Sequence, residues 1–237
     1  MATGGTYQQS LLPTHLGLIL DGNRRWGEEN GLPKYEGHRH GYQTLKKIGD
    51  ACIERGIKYV TAYVFSVENW QRPPLEVKFL MDLLYWVATH EVEEFHKKNI
   101  KLVFLGKDQP LNPKILKAIA AAEEKTKNNT AATLALCLNY SGQMEIVEAT
   151  QKIIREGIKA EDVTPEVVRE HLYHPEIPDV DLIIRTSGEQ RISNFMLWRA
   201  AYSEFYFVAD KHWPAFSVQD LDIALADYAS RMRRFGK

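Results

Sequence analysis

The chain has 237 residues, a length that a single large domain accommodates. Its 30 basic and 31 acidic side chains leave a formal net charge of -1, which argues against nonspecific nucleic-acid binding, since that function requires a net basic surface. The most apolar stretch, residues 79–88, is interrupted by Asp82 and is too short to span a bilayer.

The start of the chain predicts a flexible segment over residues 1–14, followed by a single domain over residues 15–237. Residues 1–14 have neither the basic start nor the apolar centre of a signal peptide. Cys52 and Cys137 both lie within apolar patterns, as buried reduced thiols usually do. These features predict a cytoplasmic protein.

Short apolar runs alternate with longer helical patterns, which is typical of βαβ units. This alternation predicts an α/β fold with a mainly parallel central sheet flanked by helices. The predicted strands cover residues 15–20, 58–65, 100–105, 132–139, 180–185 and 205–208. Capping residues predict helix starts after Asn112, Thr164 and Ser217. The longest and most apolar helix is predicted over residues 76–98.

A polar loop follows the predicted strand 180–185. Arg185 and Arg191 can each present a planar fork of donors, and Ser187 and Ser193 add hydroxyl groups. Gly188 allows backbone N–H groups to approach a bound oxygen closely. This composition suits a diphosphate better than a single carboxylate, so the loop is predicted to bind a diphosphate.

A second loop of similar composition, residues 21–26, follows the first predicted strand. Asp21 is a hard oxygen ligand suited to Mg²⁺, Gly22 permits a tight turn, and Arg25 supplies another fork of donors. Asp before Gly is also a common turn pair, so Asp21 alone could simply cap the turn. The arginines favour the metal interpretation, because a metal would screen the charge of a bound diphosphate.

Five segments in matching order resemble the cis-prenyltransferases, and most closely the bacterial undecaprenyl diphosphate synthases. The segments are Asp21-Gly-Asn-Arg-Arg-Trp26, Gly37-His38, Phe65-Ser-Val-Glu-Asn-Trp-Gln-Arg-Pro73, Asn139-Tyr140 with Glu145, and Arg185 through Asn194 to Glu204. The resemblance covers nearly the whole chain. It implies a transferase of prenyl groups that condenses isopentenyl diphosphate with an allylic diphosphate such as farnesyl diphosphate, releasing diphosphate and making a long polycis product.

The resemblance also implies catalytic roles for individual residues. Asp21 is the main catalytic aspartate, which engages Mg²⁺ and assists departure of the allylic diphosphate. Glu204 is a further metal-associated acid, and Asn69 helps in the loss of a proton. The cofactor implied is therefore Mg²⁺.

Two diphosphate sites follow from the same resemblance. The implied residues of the allylic site are Arg25, Lys34 and His38. Those of the isopentenyl site are Arg185, Arg191 and Ser193. The other residues implied in substrate binding are Gly22, Asn23, Arg24, Trp26, Ser66, Glu68, Trp70 and Arg72.

In the cis-prenyltransferases, the helix that matches residues 76–98 forms one wall of a hydrophobic tunnel between the sheet and the helices. The tunnel holds the growing chain. The candidate lining of the opposite wall is Val64, Leu134, Leu136 and Leu138. Phe79, Tyr85 or Trp86 would stop the chain early if one of them faced the tunnel. We expect a long, undecaprenyl-like product, with a short- or medium-chain product as the alternative.

The resemblance further implies a homodimer in which the C-terminal Arg234-Phe235-Gly236 reaches the active site of the other chain. It also implies transient contact with the membrane surface when the product leaves. A less favoured alternative is a non-catalytic subunit that binds prenyl diphosphates, because such relatives lack the strand-end aspartate or the arginine loop, and this chain has both.

Three positions depart from the family pattern. Lys34 stands where the family commonly has an arginine, so it keeps the charge but loses the bidentate fork. Gln143 replaces a positive charge, and His40 replaces a small residue. These departures put substrate affinity and allylic preference in question. The Asp-rich motif of trans-prenyl synthases is absent from the sequence, which separates the chain from that class.

Overall fold

The computed structural model describes residues 12–33 and 35–231. Lys34, the C-terminal residues 234–236 and most of the predicted segment 1–14 lie outside this range. The strands are β1 (His15–Ile19), β2 (Tyr59–Ser66), β3 (Ile100–Leu105), β4 (Ala132–Tyr140), β5 (Leu182–Arg185) and β6 (Glu204–Phe207). They form one sheet in the order β3-β4-β2-β1-β5-β6, with parallel pairing throughout. The predicted α/β fold with a mainly parallel sheet is confirmed.

Helices and turns connect the strands. The helices are α1 (Asn23–Glu29), α2 (Glu36–Glu54), α3 (Pro74–Trp86), α4 (Val92–Lys97), α5 (Pro113–Thr126), α6 (Gly142–Arg155), α7 (Pro165–His171) and α8 (Val218–Ser230). Asn112, Thr164 and Ser217 cap α5, α7 and α8 as predicted, because each side chain accepts a backbone hydrogen bond from the first turn. Of the described helices, none has the length and apolar character needed to cross a membrane.

The predicted helix 76–98 is divided into two. A π-helical turn over Val87–Glu91 separates α3 from α4. In such a turn the backbone hydrogen bonds span one residue more than in an α-helix, so the turn is wider. The periodic apolar pattern continues across this turn, and the pattern alone could not locate it.

The sheet is buried on both faces, as a parallel sheet in an α/β protein usually is. Leu182 and Ile184 of β5 pack into a cluster that includes Ile48 of α2 and Phe95 of α4. Ile183, which points to the opposite face, packs in a second cluster with residues of the turn-rich segment 194–203. The alternation along β5 therefore links two apolar layers.

The strand order places a crevice at the carboxyl ends of β1 and β5. These strands are neighbours, with Ile19 opposite Arg185. After β1 the chain continues to β2 on one side, and after β5 it continues to β6 on the other side. Loops that leave adjacent parallel strands in opposite directions open a crevice, where α/β proteins bind their ligands.

A buried ion pair fixes the segment that follows the β5 loop. Arg199 and Glu145 are both fully buried, and Nη1 of Arg199 lies 2.7 Å from Oε1 of Glu145. Arg199 also donates to the carbonyls of Tyr173 and Ile177. The hydroxyl of Tyr140 donates to Glu145 at 2.5 Å. Both members of the pair therefore have further hydrogen-bond partners. The pair holds α6, which carries Glu145, against the turn-rich segment, which carries Arg199.

We expect Arg199→Met to lower the free energy of unfolding by about 3–5 kcal/mol, because it leaves the buried Glu145 carboxylate without its cation. Urea denaturation of the purified variant measures this loss. The double variant Arg199→Met/Glu145→Met should recover part of it, since no buried charge is then left unpaired. A single variant within about 1 kcal/mol of the wild type would show that the pair does not stabilise the fold.

Candidate active site

Asp21 lies directly beyond β1 and is held from two sides. Its Oδ2 accepts a hydrogen bond from Nη2 of Arg185 at 2.8 Å, and its Oδ1 accepts one from Nη2 of Arg25 at 3.2 Å. Its backbone carbonyl accepts hydrogen bonds from the hydroxyls of Thr186 and Ser187. The carboxylate keeps 29% exposure, so a ligand can reach it.

The turn after Asp21 requires a glycine. Gly22 has a φ of 97°, in the left-handed region that glycine adopts readily. A Cβ at this position would lie 2.0 Å from Oγ of Ser187. The glycine therefore permits the close approach of the β1 and β5 loops. His212 completes this contact, because its Nδ1 lies 2.7 Å from the same Ser187 oxygen.

Arg185 ends β5 and is only 4% exposed. Its Nη1 donates to Oγ of Ser193 at 2.8 Å and to the backbone carbonyl of Arg191. Its Nε is buried and has no hydrogen-bond partner within the described residues. A buried donor without a partner is unusual in a folded protein and is consistent with a ligand that accepts from it.

The β5 loop has an unusual backbone. Ser187, Ser193 and Asn194 all have positive φ values. Non-glycine residues adopt this region rarely, and such positions cluster at functional sites. Asn194 is held by hydrogen bonds from its Nδ2 to Ser141 and Glu68. The loop is therefore tied both to the start of α6 and to the loop after β2.

Two arginines and a histidine surround the buried carboxylate of Glu76 on α3. Oε1 lies 3.3 Å from Nε2 of His38 and 3.1 Å from Nη1 of Arg72. Oε2 lies 3.7 Å from Nη1 of Arg24. The hydrogen bond with His38, together with the positive charges of Arg72 and Arg24, holds the pKa of Glu76 below its ordinary value. Glu76 thus joins α1, α2 and α3.

The loop after β2 is ordered by its own side chains. Oδ1 of Asn69 accepts a hydrogen bond from the backbone N–H of Ser66 at 3.1 Å. The indole of Trp70 packs edge-on against Phe65 and donates to Oδ1 of Asn139 at 2.7 Å. The predicted substrate-binding Trp70 therefore points into the protein, where it supports the loop.

Most of the predicted site residues line one continuous cavity of about 930 Å³. Those that line it are Asp21, Gly22, Asn23, Arg24, Arg25, His38, Ser66, Glu68, Asn69, Arg72, Arg185, Arg191 and Ser193. Trp26 and Trp70 are not part of the lining, and Trp26 instead packs against His40 with ring centroids 4.9 Å apart.

Glu204 is not brought to Asp21 within the described chain. It begins β6 opposite Leu182, whereas Arg185 is opposite Phe207, so Glu204 lies at the amino end of the sheet. Three residues of a strand place it about 10 Å from the level of Arg185. Oε2 of Glu204 is 2.7 Å from Nη1 of Arg231. Its predicted metal role gains no support from the geometry of one chain.

The acidic side chains of the cavity could supply only part of the ligand set of a metal ion. Among the described residues, no three His, Cys, Asp or Glu side chains cluster as a metal site would require. Asp21 offers a single carboxylate at the mouth of the cavity. Mg²⁺ is often held by one or two carboxylates together with substrate phosphates and water. Asp21 therefore fits Mg²⁺ that arrives with a diphosphate.

The sequence matches, over residues 19–236, the prenyltransferase family model described as that of undecaprenyl diphosphate synthases. The chain belongs to this prenyltransferase family. An isoprenyl transferase of Thermotoga maritima is 45% identical, over 95% of this chain and 97% of that protein. A decaprenyl diphosphate synthase of Mycobacterium tuberculosis is 44% identical, over 95% of this chain and 77% of that protein.

A solved structure is also similar. The crystal structure of lavandulyl diphosphate synthase from Lavandula x intermedia, in complex with dimethylallyl diphosphate, has a TM-score of 0.91 and 34% sequence identity. The match covers 96% of this chain and 100% of that one. The structural similarity therefore agrees with the family found from the sequence. The members of this family are enzymes.

The wall of the prenyltransferase cavity contains the expected apolar residues of the sheet. Val64, Leu134, Leu136 and Leu138 line it as predicted. On α3 the lining residues include Leu80, Leu83 and Leu84, whereas Phe79, Tyr85 and Trp86 are not among them. Their contacts lie elsewhere: Phe79 with Tyr35 and His38, Tyr85 with Lys114, and Trp86 with Tyr42 and His90. None of these three aromatic side chains blocks the cavity.

Sequence reasoning missed Glu76 and His212. Glu76 lies in the first turn of α3, where an acidic residue has an ordinary explanation in the helix dipole. Its position four residues after Arg72 is the one available signal, because such pairs meet on a helix surface. His212 is distant in sequence from both Gly22 and Ser187, and no local pattern places it there.

We expect the stabilising effect of Glu76 to depend on pH. Because its pKa in the folded protein lies below the ordinary 4.5, its contribution is fully present above about pH 4.5 and is lost as the pH falls through the lowered pKa. Glu76→Gln should therefore be least stable relative to the wild type above about pH 4.5, and the difference should shrink in acid.

Urea unfolding of both proteins at several pH values from about 3 to 7 measures this difference. Glu28→Gln is the matched control, because Glu28 is exposed and pairs only weakly with the same Arg24 at 3.8 Å. A difference in unfolding free energy that stays constant with pH would contradict the role given to the Glu76 charge.

Proposed function

We propose that this prenyltransferase condenses an allylic diphosphate with isopentenyl diphosphate, makes each new double bond cis, and releases diphosphate. One observation carries the proposal. Two separate groups of cationic side chains, one around Glu76 and one around Arg185, flank Asp21 at the mouth of a cavity with apolar walls. Two anion sites at one opening suit two diphosphates, and the walls behind them suit a hydrocarbon chain.

The first step breaks the bond between the allylic carbon and the diphosphate oxygen, and the electron pair stays on the diphosphate. Arg25 and His38 are proposed to donate to that diphosphate, since both line the same cavity as Asp21. Donors already in position stabilise negative charge as it develops. Mg²⁺ held by Asp21 would supply further screening of that charge.

The second step joins the two substrates. Arg185, Arg191 and Ser193 are proposed to hold the diphosphate of isopentenyl diphosphate, so that its double bond faces the allylic carbon. The π electrons of that bond form the new carbon–carbon bond, and a proton leaves the adjacent carbon to form the new double bond. Asn69, which lines the cavity, is proposed to assist that proton loss.

We propose a long, undecaprenyl-like product, and the extent of the cavity supports this choice. Its lining includes Ser66 at the carboxyl end of β2 and Ala132 at the amino end of β4, so the cavity runs along the strands from their carboxyl ends to their amino ends. A homodimer, farnesyl diphosphate as the starter, and transient membrane contact during product release belong to the same proposal.

We expect Asp21→Ala to lower turnover at least ~10²-fold without unfolding the protein, because it removes the carboxylate that pairs with both Arg185 and Arg25. Steady-state kinetics with farnesyl diphosphate, labelled isopentenyl diphosphate and magnesium measure the loss. Asp82→Ala, which removes an exposed carboxylate from α3, is the control. Chelation of magnesium should abolish turnover by the wild type. Near-normal turnover of Asp21→Ala would show that this residue has no catalytic role.

We expect Arg191→Ala to weaken chiefly the binding of isopentenyl diphosphate and Arg25→Ala to weaken chiefly the binding of the allylic substrate, because Arg25 lies on α1 and Arg191 lies in the loop after β5. Loss of one charged contact of about 1.5–3 kcal/mol corresponds to a roughly 10- to 150-fold change for the matching substrate. Separate titration of each substrate in kinetic assays distinguishes them. Equal effects of both variants on both substrates would contradict the assignment of two diphosphate sites.

A further inference from the structure

The far part of the cavity wall carries charged side chains as well as apolar ones. At its far end, beside the amino ends of β3 and β4, the lining includes Lys46, Asp50 and Lys98. These groups belong to a ladder of alternating charges between α2 and the α3–α4 region. The charge ladder consists of Glu91, Lys46, Glu94, Lys98 and Asp50.

The contacts of the charge ladder are short and continuous. Nζ of Lys46 lies 2.5 Å from Glu91 and 2.6 Å from Glu94. Nζ of Lys98 lies 2.9 Å from Glu94 and 2.8 Å from Asp50. Hydrogen bonds from Lys46 and Lys98 lower the pKa of Glu94 to about 2, so the ladder stays charged near neutral pH.

One face of α2 runs the length of the cavity. Tyr42, Leu45, Lys46, Gly49, Asp50 and Ile53 all line it, and their spacing of three and four residues is that of one helical face. From His38 at the mouth to Ile53 at the far end, the helix rises about 20 Å. The charge ladder thus lies on the wall that a growing chain follows, far from Asp21.

Gly49 leaves a gap in that wall. It lies next to Asp50 in the lining, and a Cβ added to it would meet no atom within 4 Å. A side chain at this position would project into the far part of the cavity without a clash. Glycine is a poor helix former, so a larger residue here also suits α2.

We propose that Gly49 and the charge ladder set the length of the product. This inference rests on the proposed chain elongation and deepens it. The open space at Gly49 admits the last part of the hydrocarbon chain, and the charge ladder then stops it. An apolar chain that advanced further along this wall would displace water from the side chains of Asp50 and Lys98, which are 42% and 37% exposed, and the removal of water from charged groups is unfavourable.

Two variants with opposite expected effects test the proposal. Gly49→Leu fills the end of the cavity and should shorten the main product by at least one isoprene unit. The double variant Asp50→Ala/Lys98→Ala removes one rung of the ladder, leaves no single charge unpaired by the change, and should lengthen the product by at least one unit. Chromatography of products made from labelled isopentenyl diphosphate measures both shifts.

Matched controls separate this role from general effects on the helices. Gln43→Leu places the same side chain on the exposed side of α2, and Lys78→Ala removes an exposed ion pair of α3. Both should give the wild-type product. Circular dichroism checks that each variant is folded.

An unchanged product length in either test variant would overturn the assignment of the chain stop. A wild-type protein that makes no product from either substrate would instead overturn the proposed chain elongation. The single-turnover rate of the first condensation, which takes place at the other end of the cavity, distinguishes lost catalysis from an altered stop.

Discussion

The ion pair between Asp21 and Arg185 is the interaction on which the site depends. Arg185 ends β5 and is nearly buried, so its charge needs a fixed partner. That partner follows β1, and the contact exists because Ile19 and Arg185 are opposite each other in the parallel pairing. A shift of one residue in this register would turn Arg185 to the other face of the sheet. The chemistry of the site thus rests on how two central strands align.

Two carboxylates hold the basic side chains of the site in fixed positions. Glu76 pairs with Arg72 and Arg24 and contacts His38. Asp21 pairs with Arg185 and Arg25. Like charges that would otherwise repel are therefore kept close together before any diphosphate arrives. Side chains that are already positioned lose little conformational freedom on binding, so more of the contact energy is left for the ligand.

The sequence was sufficient for the strands and for the helix caps, because each depends on residues close together in the chain. It was also sufficient to predict that Asp21 and Arg185 lie close together, since the carboxyl ends of parallel strands lie at the same end of the sheet. It was not sufficient to place Glu204 relative to Asp21, because that requires knowing which end of β6 Glu204 occupies. The side-chain direction of Trp70 likewise depends on Asn139, a partner on another strand.

The wide turn at Val87–Glu91 has a consequence for how this cavity can vary among relatives. A π-helical turn accommodates one residue more than an α-helical turn over the same part of the wall. A regular helix would instead rotate everything beyond an added residue by about 100°. Phe95 beyond the turn and Leu84 before it both face the cavity. Deletion of the one extra residue here would therefore change the wall locally and keep its apolar side towards the cavity.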